Sequence, residues 1–308
     1  MLQFFKTIDN QLTAVASPEN GCWISAIAPT EDDIGALVSL GVDSGFVRAA
    51  LDEEEASRIE REDGQVLIIV DLPITQKEEE KTIIYSTVPM GIIITDKNII
   101  TVCLHENSVV SELEKGLVRG VQTHLRTQFV LLVLLRIVTR FLQYLKQIDK
   151  ISSYSEKQLH KTMRNKELIQ LLGLEESLVY FSTSLKANEV TLEKIHRGRI
   201  IRLYEEDEDL LEDVLVEVRQ AIEMCGIYTN ILSNTMDAFS SIINNNLNIV
   251  MKALTCLTVL LAIPTLISGL WGMNVVDLPG THFWVPITLA LFLTGIVALV
   301  LFKKGMFK

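Results

Sequence analysis

Two periodicities divide the chain. Up to about residue 105, apolar residues come in short β-rich runs: CWISAIA (22–28), QVLIIVDL (65–72), TIIYSTV (82–88), GIIIT (91–95) and NIITVCL (98–104). Turn residues separate them, and each run predicts a strand. Among them PTEDDIGALVSLG (29–41) sets Thr30 as an N-cap before three acids and ends on glycine, which predicts a helix. From Ser108 to His196 there are few glycines and no proline, and apolar residues take helical spacing. That stretch predicts at least two long helices packed beside an α/β domain.

The stretch from Glu205 to Val250 has no proline and one glycine, Gly226. Leu211, Leu215, Val218, Ile222, Cys225, Thr229, Leu232, Met236, Phe239, Ile243, Asn246 and Val250 follow at alternating fours and threes, a heptad seam. It enters a charge-free segment, Ala253 to Met273, without a breaker, so one helix of roughly 100 Å is expected. A helix of that length requires partners.

Ala253–Met273 and His282–Phe302 are both free of charge and long enough to cross a hydrocarbon core of about 30 Å. We read them as two membrane spans joined by a short outer loop. FVLLVLLRIVTRFL (129–142) is interrupted by Arg136 and Arg140 and is expected to be a buried soluble helix instead. Lys252 precedes the first span and Lys303, Lys304 and Lys308 follow the second, so the positive-inside rule puts both termini in the cytosol. The start, MLQFFKTIDNQLTAV, has no signal-peptide core, in keeping with a cytosolic amino-terminal region.

A second stripe on the long helix has another character: Asn244, Asn248, Met251, Thr255, Thr258, Ala262, Thr265, Gly269 and Gly272. Small and hydroxylic residues on one face suit close helix packing. They suit a pore lining equally, offering neutral oxygens and no fixed charge.

Composition narrows the partners. Up to Lys252 the chain carries 25 Lys and Arg against 38 Asp and Glu, a net −13. That excludes nucleic acid, which needs clustered bases, and suits cations. Cys22, Cys103, Cys225 and Cys256 form no CxxC pair, so neither a disulfide framework nor a zinc knuckle is expected. There is no phosphate-binding GxxxxGK[ST] loop and no Ser-His-Asp arrangement, so neither a nucleotide nor an enzymatic reaction is expected.

Gly272-Met273-Asn274, at the end of the first of two terminal spans, resembles the GMN signature of the CorA family of magnesium transporters. The resemblance extends through NIVMKALT, Pro264-Thr265, the short loop, the second span and the tail FKKGMFK, and is closest from about Asp213 onward. Trp271 stands where many members have tyrosine, and the basic tail is shorter and holds a glycine. The zinc-transporting branch carries GVN or GIN, so GMNVVDLPG is similar to the magnesium branch.

The resemblance implies a funnel-shaped homo-oligomer, a pentamer, in the plasma membrane. Its parts would be a cytosolic α/β domain (1–107), helices packed on it (108–204), a stalk helix (205–252), a pore-lining span (253–273), an outer loop (274–281), a second span (282–302) and a basic tail (303–308). Magnesium sheds its waters reluctantly, so a ring of amide oxygens can select the hydrated ion. By themselves glycine and asparagine only end a helix. In this family context Gly272, Met273 and Asn274 become the entrance filter, and Asp277, the one charge in the outer loop, helps gather cations. Asn248, Met251, Leu254, Thr255, Thr258, Ala262 and Thr265 match pore-lining positions, with Met251 and Leu254 as an apolar gate.

YEEDEDLLED (204–213) is ordinarily read as a solvated helix face. The resemblance assigns Asp213, with Asp209 and Glu212 behind it, to a regulatory magnesium site between subunits. The function implied is passive magnesium influx gated by cytosolic magnesium. The alternatives are transport mainly of cobalt, nickel or zinc, and a membrane-anchored sensor without conduction.

Overall fold

The computed structural model describes residues 2–77, 83–162, 165–198, 200–273 and 282–306. The chain divides into two compact units, 1–234 and 235–308.

The first unit is built on a seven-stranded sheet: β1 (Leu2–Ile8), β2 (Gln11–Val15), β3 (Trp23–Ile27), β4 (Arg58–Glu62), β5 (Gln65–Lys77), β6 (Ile83–Ile94) and β7 (Ile99–Cys103). The spatial order is β2-β1-β3-β7-β6-β5-β4, with β3 and β7 parallel and every other neighbouring pair antiparallel. Three strands go beyond the sequence expectation. β1–β2 and β4–β5 are tight hairpins whose two-residue loops, Asp9-Asn10 and Asp63-Gly64, have positive φ throughout. That backbone matches the right-handed twist of the paired strands.

TIIYSTV and GIIIT, expected as two strands, form the single β6, through Pro89. Proline is tolerated because β7 pairs with β6 only from Met90 onward. Gly91 is required by packing: a Cβ there would lie 2.3 Å from the Cβ of Ala50.

One sheet face is covered by α1 (Glu31–Ser39) and α2 (Ser44–Ala49). Thr30 caps α1 in a capping box with Asp33, as the sequence predicts. Ile24, Leu67, Ile69, Ile93, Ile100 and Val102 meet Leu37 and Val47 in this core. The other face carries α3 (Ser108–Glu114), α4 (Arg126–Thr162) and α5 (Asn165–Gly198). There Trp23 stacks on Phe5 and packs tilted against Phe129, at 5.0 and 5.4 Å between ring centroids, and donates to Thr101 at 2.9 Å. Farther along, Phe181 of α5 packs on Phe141 and Tyr85.

Among the described residues three helices are long and apolar enough to cross a membrane, but they differ in how their apolar residues are used. In α4, 61 % of the apolar window is buried inside the protein. The corresponding shares are 11 % for α6 (Glu205–Trp271) and 0 % for α7 (Trp284–Lys303). Arg136 and Arg140, which interrupt the apolar run of α4, both pair with Glu112 of α3.

α5 also closes a sheet edge. Where β4 ends, the buried Asn188 accepts from the Asp71 amide at 2.9 Å and donates to the Asp71 carbonyl at 2.8 Å. Its amide does for β5 what a neighbouring strand would.

Candidate functional site

α6 is one helix of 67 residues, and its faces change role along its length. At its start Asp207, buried, accepts from the Tyr204 amide at 3.0 Å and so caps the helix. The seam residues Leu211, Leu215, Val218, Cys225 and Leu232 are buried. Their partner is α5 of the same chain: Cys225 Sγ donates to the Leu178 carbonyl at 3.2 Å, and Ser233 bonds Glu175 at 3.1 Å. Arg219 ties the two helices again through Glu189 and Glu193. The seam read from the sequence is therefore an intramolecular contact over this stretch. Ile243, Asn246 and Val250, farther along, are exposed.

Asp209, Glu212 and Asp213 stand exposed on α6, three and four residues apart and so on one side of the helix. Among the described residues no three His, Cys, Asp or Glu side chains converge as a metal site. Asp207, in the same acidic run, is committed to the helix cap, a division of labour that composition cannot reveal.

In the second unit α6 packs on α7. Cys256 and Ile267 are buried, and on α7 Pro286, Ile287, Ala290, Thr294, Val297 and Ala298 are half-buried at spacings of three and four. A cleft between the helices is lined by Pro264, Trp271, Pro286 and Ile287. At about 100° per residue, the stripe Met251, Thr255, Thr258, Ala262, Thr265, Gly269 and Gly272 lies roughly 180° around α6 from Cys256 and Ile267. Every member of the stripe is exposed, as are Asn244 and Asn248 before it. Leu254, at its margin, is 55 % exposed. On one flank stand Leu257 and Leu261, and on the other Val259, Leu266 and Leu270, all exposed. A stripe of mostly small and hydroxylic residues between two apolar flanks therefore faces away from α7.

The threonines share one geometry. Thr255, Thr258 and Thr265 donate their hydroxyl hydrogens to Met251, Leu254 and Leu261 carbonyls at 2.8, 2.9 and 2.9 Å. A hydroxyl has one hydrogen and two lone pairs, so each presents acceptors outward. The water shell of a divalent cation points its hydrogens outward and meets such acceptors. Among the described residues this face carries no thiol, Cys256 being buried on the opposite side of α6, and its sulfur is the Met251 thioether. In the first unit, burial pushes the thiol of Cys103 up to about 12 and that of Cys225 to about 11, so neither is a thiolate at neutral pH.

Gly272 closes the described part of the stripe, its amide donating to the Ser268 carbonyl at 2.9 Å. A Cβ there would lie 3.2 Å from that same oxygen. Met273 follows, exposed, whereas Asn274 and Asp277 lie outside the described residues. The far end of α7 holds a feature missed in the sequence. Gly305 has φ +69°, with Gly305 and Met306 amides returning to Phe302 and Leu301, a Schellman cap. The glycine within the basic tail was its signal.

The chain matches the family described as CorA-like Mg2+ transporter protein over residues 18–304. A cobalt/magnesium transport protein CorA of Methanocaldococcus jannaschii is 26 % identical over 293 residues, 92 % of this chain and 90 % of that protein. A magnesium transport protein CorA of Wolinella succinogenes is 35 % identical over 94 residues, 30 % of this chain and 29 % of the relative. Among solved structures, the complete CorA magnesium transporter from M. jannaschii superimposes with a TM-score of 0.81 at 23 % identity, over 99 % of this chain and 96 % of that one. The full-length CmaX protein gives 0.71 at 17 %, over 99 % and 96 %. The fold is accordingly CorA-like, a mixed α/β domain joined to long helices, and the chain belongs to the CorA-like Mg2+ transporter family.

Proposed function

We propose that the chain forms a homo-oligomeric channel, a pentamer, that passes magnesium inward across the plasma membrane without nucleotide hydrolysis. In this reading α6 and α7 are the two spans, both termini are cytosolic and the α/β domain hangs in the cytosol. The observation that carries it is the acceptor stripe on α6, exposed opposite α7 and flanked by leucines. Copies arranged about an axis would bury the flanks on one another and turn the stripe to the lumen, where it meets the hydrated ion through its waters. Gly272, Met273 and Asn274 form the entrance filter, with Asp277 beside it. Met251 and Leu254 narrow the far end.

A divalent ion gains about 4.6 kcal/mol per 100 mV on moving to the negative side, twice the single-charge value, so passive influx suffices. Gating follows from the exposed Asp209, Glu212 and Asp213. Magnesium bound between these carboxylates and a neighbouring subunit holds the closed state, and its loss leaves like charges that open it. Cobalt is a second cargo on this reading. A relative matched along nearly its whole length is named a cobalt/magnesium transporter, and a pore that touches only the water shell separates the two ions weakly.

The test is magnesium influx into liposomes holding the purified protein and an interior magnesium dye, at a fixed membrane potential. Uptake that falls as interior magnesium is raised supports the reading. No uptake at any interior magnesium would leave the membrane-anchored sensor as the better account.

A further inference from the structure

The basic end of the hairpin has no acidic counterpart. Between Asp237 and the end of the chain the only carboxylate side chain is Asp277, in the outer loop. Lys252, Lys303 and Lys304 are exposed, and among the described residues none of them forms an ion pair. The segments that carry them meet in the fold. The Schellman cap at Gly305 turns the tail back, so that the Met306 carbonyl lies 3.8 Å from Cys256 Sγ on α6. Lys252 stands one helical turn before Cys256 on the same side, and Lys303 and Lys304 immediately precede the turn.

Their depth is fixed as well. From Trp284 to Phe302 α7 runs 19 residues, about 28 Å, which matches a hydrocarbon core. At its opposite end Phe283 and Trp284, 74 % and 69 % exposed, sit at the interfacial level that aromatic side chains favour. The lysines then lie at the phosphate level of the leaflet on the stalk side.

We propose that Lys252, Lys303 and Lys304 form a binding site for the phosphate of an anionic phospholipid, which bridges the foot of α6 to the end of α7. This rests on the reading of α6 and α7 as membrane spans and requires nothing about conduction. The ammonium groups supply donors to the phosphate oxygens, and each lysine near an anionic surface contributes about a fivefold gain in affinity. The bridged lipid fixes the tail against α6.

The full chain, purified in detergent, is titrated with phosphatidylglycerol, with phosphatidylcholine and with inorganic phosphate, reading the thermal midpoint. Phosphatidylglycerol is expected to raise it, and the other two to leave it unchanged. Lys303→Gln/Lys304→Gln should need over tenfold more phosphatidylglycerol for the same rise, about fivefold for each lysine. Lys303→Arg/Lys304→Arg should keep the response, and Lys186→Gln/Lys194→Gln, an equal charge change on α5, should respond like wild type. Equal responses of the two glutamine pairs would overturn the site, and a rise with inorganic phosphate would overturn the lipid as its source. Because the readout is stability, a chain that fails to conduct can still pass this test, and a conducting chain can fail it.

Discussion

Thr258 gives its hydroxyl hydrogen to the carbonyl of Leu254, 2.9 Å away on the preceding turn of α6. The bond leaves the threonine oxygen facing outward as an acceptor only. Thr258→Val keeps the shape and removes the acceptor; Thr258→Ser keeps both hydrogen and lone pairs. Losing one hydrogen bond to the ion's water shell costs about 1 kcal/mol, or roughly fivefold. Magnesium flux in liposomes should fall at least that far in the valine variant and stay near wild type in the serine variant.

Asp207 and Asp213 lie six residues apart in one acidic run, yet only the first is buried. Asp213→Asn should therefore alter regulation. The interior magnesium that halves the flux should rise about fivefold or more, the lower end of ordinary allosteric coupling. Asp207→Ala should leave that dependence in place and cost about 1 kcal/mol of stability through the lost hydrogen bond from the Tyr204 amide.

Gly91→Ala inserts a methyl group where the Cβ of Ala50 is 2.3 Å away. Ala50 has no longer side chain to swing aside, so the backbone next to α2 must give. Destabilisation of about 1–3 kcal/mol is expected, seen as a lower midpoint in urea unfolding with magnesium flux of the folded fraction unchanged.

Glu112 gives a pH dependence. Burial alone would raise its pKa, but the hydrogen bond from Arg136 and the charge of Arg140 outweigh burial and hold the carboxyl below its ordinary 4.5. Its stabilisation is complete above 4.5 and is lost as the pH falls through the depressed folded value. Glu112→Gln should cost about 2 kcal/mol at pH 7, the worth of charge-assisted hydrogen bonds. Its stability should fall less than that of wild type on acidification below pH 4.5, measured by urea unfolding.

The sequence carried the long helices because their patterns are long, and it missed the six-residue α2. The seam from Leu211 to Phe239, the uncharged segments 253–273 and 282–302 and the capping box at Thr30 all repeat or stack several signals. The strands were legible where apolar residues run nearly unbroken, as in β5, β6 and β7. β1, β2 and β4 were missed because they alternate with polar residues; only their two-residue turns, Asp9-Asn10 and Asp63-Gly64, mark them. Pro89 and Gly91 imitated a break in β6, and only the register with β7 reveals why they are accommodated. At the candidate site, the spacing of Thr255, Thr258 and Thr265 defines the stripe. The direction of their hydroxyls depends on backbone carbonyls one turn away, which no residue pattern encodes. The seam's partner was hidden for a similar reason, since heptads declare that a helix packs and leave open whether the partner is α5 or another copy.

The central claim, conduction of hydrated magnesium past the Gly272-Met273-Asn274 entrance, is tested most directly by comparing wild type with Asn274→Ala. The measurement is magnesium influx into dye-loaded liposomes at low interior magnesium and fixed potential, with assembly of both proteins checked by size. The account predicts uptake by wild type and its near-complete loss in an Asn274→Ala variant that assembles normally. An Asn274→Ala protein that conducts at the wild-type rate would contradict it.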